Sequence, residues 1–539
     1  MHGLMMDQPL LISDLIRHAD RYHGDTEIVS KTVEGVIHRY TYREAHARAR
    51  RLARALQPLG IKPADRVGTL AWNGHRHYEL YYAISGVGAI INTINPRLFA
   101  EQIVYISNHA ENQALFFDAT FVPLVEKLAP QLKTVRHYVL LTDRAHMPKG
   151  SKFLCYEELL EKEGDDYRWP SFDERTAAAL CYTSGTTGNP KGVLYQHRST
   201  IVHAYAAALP DALNLSALDC VMPVVPMFHA NAWSLPYACT LAGTKMVFPG
   251  PHLDGKSVYD LMEAEHVTMS AGVPTVWLML LQHLAANKLR FSSLKRTVIG
   301  GSACPPAMIR TFQDDYGVRV FHAWGMTEMS PLGTVGTLKA RQAALDYDGQ
   351  LAVQAKQGRG LFGVEMKIVN EEGNELPWDG KSFGNLLVRG PWIASGYFKG
   401  EGGDPLKDGW FPTGDVATID ADGYMQITDR SKDVIKSGGE WISSIDLENI
   451  AIAHPAIAEA AVIGVHHPKW DERPIVVAVK KPGQEVSKAE LLRFYEGKIA
   501  KWWMPDDVVF VNELPHTATG KLSKLTLRQQ FKDYRVDQK

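Results

Sequence analysis

The chain is poor in cysteine, has no long apolar run and shows no excess of either charge. Its five cysteines, Cys155, Cys181, Cys220, Cys239 and Cys304, follow neither a paired nor a metal-ligand spacing, which excludes a disulfide scaffold and a zinc module. A chain of 539 residues needs no such staples, so a reducing, cytoplasmic setting is expected. No uninterrupted apolar stretch approaches the ~20 residues of a bilayer-crossing helix, so no integral membrane segment is expected. Leu10-Leu11-Ile12 is broken at once by Ser13 and Asp14 and follows no basic segment, so it reads as the first helix of the fold rather than a signal. Lys plus Arg number 58 against 60 Asp plus Glu, so no overall basic field exists to hold a nucleic acid. Any polyanion must be met by local groups.

What is present is the composition of a folding protein, 45% hydrophobic and 22% charged, in a length that calls for more than one core. Thr41 with Glu44 forms a capping box, Ala45, Ala49, Leu52, Ala53 and Leu56 share one helical face, and Gly60 ends the run. Short apolar strands at 67–71, 114–117, 138–141, 246–248 and 297–299 alternate with helical stretches at 77–85, 121–128 and 275–283, which predicts βαβ units and mostly parallel sheets. Between 358 and 397 the pattern changes to alternating strands with turns at 371–374 and 379–380, as in an antiparallel subdomain. After Arg430 a small α+β unit follows, with helices near 446–452 and 488–500 and strands at 460–465, 475–479 and 508–511. The fold class is therefore α/β and α+β: a large N-terminal domain, 1–430, with mostly parallel sheets and a small β-barrel-like subdomain, then a small mobile domain, 431–539. The link at 428–432 is short and charged, which suits a hinge.

The stretch from Leu180 to Val193 begins as an apolar strand and continues as Thr183-Ser184-Gly185-Thr186-Thr187-Gly188-Asn189-Pro190-Lys191-Gly192. Glycines that let the backbone present amides, four hydroxyls and a lysine suit phosphate oxygens. It is not a Walker loop, since Pro190 precedes the lysine and Gly192 follows it. Two further strand ends carry Gly300-Gly301 and Trp324-Gly325-Met326-Thr327-Glu328. A carboxylate such as Glu328 beside a phosphate is repulsive unless a cation lies between them. Asp415 follows Gly414, and His229 and Trp233 are four apart, a spacing that would put both on one helical face.

These motifs, in this order and over nearly the whole chain, resemble the adenylate-forming superfamily, and within it the acyl-CoA synthetases of medium-chain acids. The resemblance implies ATP, Mg²⁺ and coenzyme A as cofactor and cosubstrates, and two steps: acyl-adenylate formation with release of pyrophosphate, then displacement of AMP by the CoA thiol. It implies an acid of short to medium length, with 3-methylmercaptopropionate the specific expectation and a general medium-chain acid the alternative. It places the phosphates on Thr183, Ser184, Gly185, Thr186, Thr187, Gly188 and Lys191. Adenine and the acyl group lie beside Gly300, Gly301, Trp324, Gly325 and Met326, and the ribose on Asp415 and Arg430. Thr327 contacts the α-phosphate, and Thr187 and Glu328 hold Mg²⁺. His229, Trp233, Gly301 and Pro331 line the acyl slot. Lys521 is the catalytic lysine, with Thr327 and Glu328 catalytic beside it. Lys432 and Asp433 form the hinge, and Lys436, Gly438, Gly439, Glu440, Trp441 and Glu472 form the thiolation face. A homodimer is implied in the same way. Cys304 reads as packing, because CoA brings its own sulfur. A luciferase-like oxygenase, an amino-acid-adenylating unit and a nucleotide-gated sensor of the same fold are the rival readings.

Overall fold

The computed structural model describes residues 1, 3–183, 189–437, 440–516 and 522–535, with residue 440 described by its backbone alone. The capping box at the start of the helix Tyr42–Leu56 is formed, the Glu44 amide donating to Thr41 Oγ1 and the Thr41 amide to Glu44 Oε2.

Two large mixed sheets build the N-terminal part. In one, Leu154–Cys155, His137–Leu140, Asn112–Phe117, Arg66–Leu70, Ile90–Thr93 and Ala177–Tyr182 run parallel, and Gly192–Gln196 returns antiparallel to Ala177–Tyr182. In the other, Glu27–Lys31, Lys245–Phe248, Cys220–Pro223, Met269–Gly272, Arg296–Ile299 and Arg319–Gly325 run parallel, with antiparallel strands at both edges. Near-continuous apolar strands of this kind are the mark of sheets covered on both faces. The helix His75–Gly86 is buried on almost every side, and its tyrosines satisfy their hydroxyls inside the core: Tyr78 with Thr240, Tyr81 with the Met227 carbonyl and Tyr82 with the Pro236 carbonyl.

The antiparallel unit is a four-stranded sheet of Glu365–Val369, Phe383–Arg389, Phe411–Ile419 and Met425–Arg430, so it continues past the expected limit at 397 up to the link itself. Beyond it a five-stranded sheet carries the helices Ser444–Ile452, Lys488–Tyr495 and Lys524–Gln530. The expected helix 488–500 stops at Tyr495 because Glu496 turns extended and Gly497 takes a φ of +74°, a left-handed conformation that glycine adopts without strain.

Candidate functional site

The motifs singled out in the sequence lie at the carboxyl ends of parallel strands, where sheets of this kind bind ligands: after Tyr182, after Ile299 and after Gly325. The neck of the phosphate loop is closed by two bonds, the Thr183 amide to the Lys191 carbonyl at 2.9 Å and the Lys191 amide to Thr183 Oγ1 at 3.1 Å. Ser184, Gly185, Thr186, Thr187 and Gly188 lie outside the described residues, as do Gly438, Gly439 and Lys521.

The Lys191 ammonium stands 4.7 Å above the centre of the Tyr397 ring, and the Tyr397 hydroxyl donates to Glu328 Oε1 at 2.8 Å. Burial, with the charge of Glu328 beside it, holds that hydroxyl protonated well beyond the ordinary tyrosine range, so it serves as a donor. The main chain is pinned as well: Tyr195 donates to the Thr327 carbonyl at 2.5 Å and the Ala394 amide to the Glu328 carbonyl at 2.8 Å. Thr327 and Glu328 are both buried. Sequence reading missed Tyr397 and Tyr195. Only position signals them, Tyr195 in the strand that follows the phosphate loop and Tyr397 after Gly396 at the end of the 358–397 segment.

One Glu328 oxygen is thus occupied by the Tyr397 hydroxyl. Among the described residues no three His, Cys, Asp or Glu side chains gather into a metal cage. A single hard carboxylate with no cage suits Mg²⁺, which keeps its waters and takes substrate phosphates.

Asp415 sits where the strand Phe411–Ile419 bulges against its neighbour, Gly414 adopting φ +74°. Its carboxylate is buried, accepts from Trp324 Nε1 at 2.9 Å and pairs through Oδ1 with Arg430 Nε at 2.9 Å. Trp324 itself packs with Met329, Ile368 and Phe411, so it is a core aromatic that also aims the carboxylate. Gly325 and Met326 are fitted to Pro331: a Cβ on Gly325 would lie 2.0 Å from the Pro331 carbonyl, which also accepts from the Met326 amide.

The acyl segment departs from expectation. His229 and Trp233 do not share a face of a right-handed helix, because Ala230, Asn231, Ala232, Trp233 and Ser234 all have φ between +43° and +65°. Five successive residues with a Cβ in the left-handed region cost about 1 to 2 kcal/mol each, so tertiary bonds have to hold them. The Trp233 ring lies against Gly300, where a Cβ would come within 3.2 Å of the ring and 2.8 Å of the Ala323 carbonyl. Gly301 has φ +80°.

At the link, Asp433 pairs with Arg528 at 2.5 Å, and Asp429 accepts from the Ser444 amide at 2.9 Å. Lys524, its side chain 11% exposed, pairs with Glu448 at 2.7 Å and bonds Ser444. Burial opposes its charge, yet Glu448 and Asp429 raise its pKa above the usual lysine value. Lys436 pairs with Glu371 at 2.7 Å, its amide donates to Glu472, and the Trp441 ring lies 5.6 Å from Phe383. These members of the expected thiolation face therefore meet the antiparallel sheet. Cys304 is buried, and burial pushes its thiol far above the ordinary range, in keeping with a packing role.

Residues 15–398 match the family of AMP-binding enzymes, and residues 446–521 match the AMP-binding enzyme C-terminal domain. The chain is 57% identical over 537 residues to a 3-methylmercaptopropionyl-CoA ligase of Ruegeria lacuscaerulensis, covering 99% of each chain. It is 52% identical over 538 residues to a medium-chain-fatty-acid–CoA ligase of Ectopseudomonas oleovorans, covering 99% of this chain and 98% of that one. An anthranilate CoA ligase solved with anthranoyl-AMP superposes with a TM-score of 0.85 at 25% identity, covering 97% of this chain and 98% of that one. ATP-bound MatB from Rhodopseudomonas palustris superposes with a TM-score of 0.82 at 25% identity, covering 97% and 99%.

Proposed function

This chain belongs to the AMP-binding enzyme family, as an AMP-forming acid–CoA ligase, and from that premise we propose that it converts 3-methylmercaptopropionate to its CoA thioester with Mg²⁺ and CoA. A general medium-chain fatty acid is the second reading, favoured by the 52% identity to a ligase of that class. The observation that carries the first is the 57% identity extending over 99% of both chains. An apolar slot binds a thioether or an alkyl chain by burial, at roughly 0.8 kcal/mol per methylene, so neighbouring acids are discriminated only weakly.

In the first step a carboxylate oxygen of the acid attacks the α-phosphorus of ATP and pyrophosphate leaves. Lys191 faces the phosphates, Thr327 contacts the α-phosphate, and Asp415 with Arg430 holds the ribose. Glu328 and Thr187 would hold Mg²⁺, whose charge offsets that of the phosphates. Lys521 neutralises charge that develops during this transfer. In the second step the CoA thiol, giving up its proton, attacks the acyl carbonyl and AMP leaves. Lys436, Gly438, Gly439, Glu440, Trp441 and Glu472 serve this step once the unit 431–539 has turned about Lys432 and Asp433 against the unit 1–430. The reading includes a cytoplasmic homodimer. No helix among the described residues is long and apolar enough to cross a membrane.

Steady-state selectivity over methylmercaptopropionate, propionate, butyrate, hexanoate and octanoate tests the substrate. A higher kcat/KM for hexanoate or octanoate than for the thioether acid overturns the first reading in favour of the second. Lys521→Ala tests the two-face scheme: adenylation is expected to fall by about 100-fold or more while supplied acyl-adenylate is still thiolated. An unchanged first step rejects the scheme.

A further inference from the structure

The left-handed turn at 230–234 is held from outside itself. Asn231, 2% exposed, accepts through Oδ1 from the Tyr81 hydroxyl at 3.3 Å and from the Cys181 thiol at 3.3 Å. The single Tyr81 proton is shared between Asn231 and the nearer Met227 carbonyl, one residue before Phe228. Asn73 fixes the approach to the turn, donating to the Pro223 and Val225 carbonyls and accepting from the Met227 amide at 2.7 Å. Inside the turn the Ala232 amide reaches back to Pro226 and the Ser234 amide to Asn231. None of the five residues is glycine, and only Asn231 is of a type that visits this region readily, so local preference does not account for five in succession. If Asn231 lets go, the ordinary alternative is right-handed, and that conformation re-aims the Cβ of Trp233 away from Gly300.

We propose that Asn231, supported by Tyr81, is a specificity-determining positioning residue: it keeps the turn left-handed so that the Trp233 ring stays against Gly300 and limits the length of acid the slot admits. The inference rests on the acyl-slot reading of Trp233. A buried asparagine that merely completes its hydrogen bonds would contribute to stability alone, and chain-length preference separates the two roles.

The test uses the full-length protein with Asn231→Ala and, because that variant removes a buried polar group, Tyr81→Phe, which keeps the ring and removes only the hydroxyl. kcat and KM are measured for butyrate, hexanoate, octanoate and decanoate by release of AMP. The octanoate-to-butyrate ratio of kcat/KM is expected to rise about 10-fold in Asn231→Ala, roughly the effect of admitting two further methylenes, and to rise in the same direction in Tyr81→Phe. Most of the change is expected in KM. Trp233→Ala is expected to shift the ratio similarly, and its combination with Asn231→Ala to shift it no further. A fall by one common factor for all four acids, or strictly additive shifts in the double variant, overturns the proposal. Failure of the parent protein to form any acyl-CoA from these acids would instead overturn the ligase reading, so the two failures are distinct.

Discussion

The Tyr397 hydroxyl donates to Oε1 of the buried Glu328 carboxylate at 2.8 Å. The same ring carries Lys191 on its face, so a single aromatic side chain touches both a lysine ammonium and a buried carboxylate.

Tyr397→Phe should keep the cation–π contact and lose the hydrogen bond. A bond to a charged group is worth about 1.5 to 3 kcal/mol, so adenylation is expected to slow by about 10- to 100-fold, with a higher Mg²⁺ concentration for half-maximal rate. Carboxylate-dependent pyrophosphate exchange against Mg²⁺ measures both. An unaltered Mg²⁺ requirement would show that Glu328 needs no such orientation.

Gly300→Ala places a methyl 2.8 Å from the Ala323 carbonyl and 3.2 Å from the Trp233 ring. The carbonyl is fixed within the strand Arg319–Gly325, so the Gly300 backbone has to back away from it and the Trp233 ring has to give as well. Acid activation is expected to fall by about 10-fold or more at a stability cost of about 1 to 3 kcal/mol. Kinetics and urea unfolding of the same preparation measure the two effects.

The pH dependence of stability follows from buried neutral histidines. Burial lowers His77, His197 and His322 to about 4 and His203 to about 3. The unfolded chain takes up these protons near the ordinary value of 6.5, while the folded chain resists until far lower pH. Unfolding therefore binds protons in that interval, and stability is lost as pH falls from about 6.5. His203 Nε2 accepts from the Leu332 amide, a role glutamine can fill. His203→Gln is expected to lose less stability than the parent between pH 6.5 and 4, by up to about 1.4 kcal/mol per pH unit. Urea unfolding at several pH values checks the slope, and identical slopes would sink the assignment.

Lys524→Ala would leave the buried Asp429 and the largely buried Glu448 without their cation. Removing one partner of a buried ion pair costs about 3 to 5 kcal/mol, so the unit beyond the link is expected to unfold at lower urea than the rest. Tryptophan fluorescence with limited proteolysis separates the two transitions, and an unchanged profile would count against the pair.

Much of this was legible in the residues. The capping box at Thr41 and the parallel strands follow from local periodicity and turn chemistry, whereas the roles expected of the residues at the strand ends come from the family resemblance. The helix from Lys488 ends at Tyr495, five residues before the expected limit at 500, because Gly497 stops it. The left-handed turn at Trp233 left no signal, since Ala-Asn-Ala-Trp-Ser is compatible with an ordinary helix. Its handedness is imposed by Tyr81 and Cys181, remote in sequence. Tyr397 was missed for a similar reason: its importance lies in what the fold sets on either side of it.

Arg430 faces Asp415 across one pair of strands and stands two positions before Lys432. A ligand that drew Asp415 Oδ1 away from the guanidinium would change the pairing of a residue that leads straight into the next sheet, so its arrival would be felt at residues 431–433 by adjacency, with no longer route through the interior required.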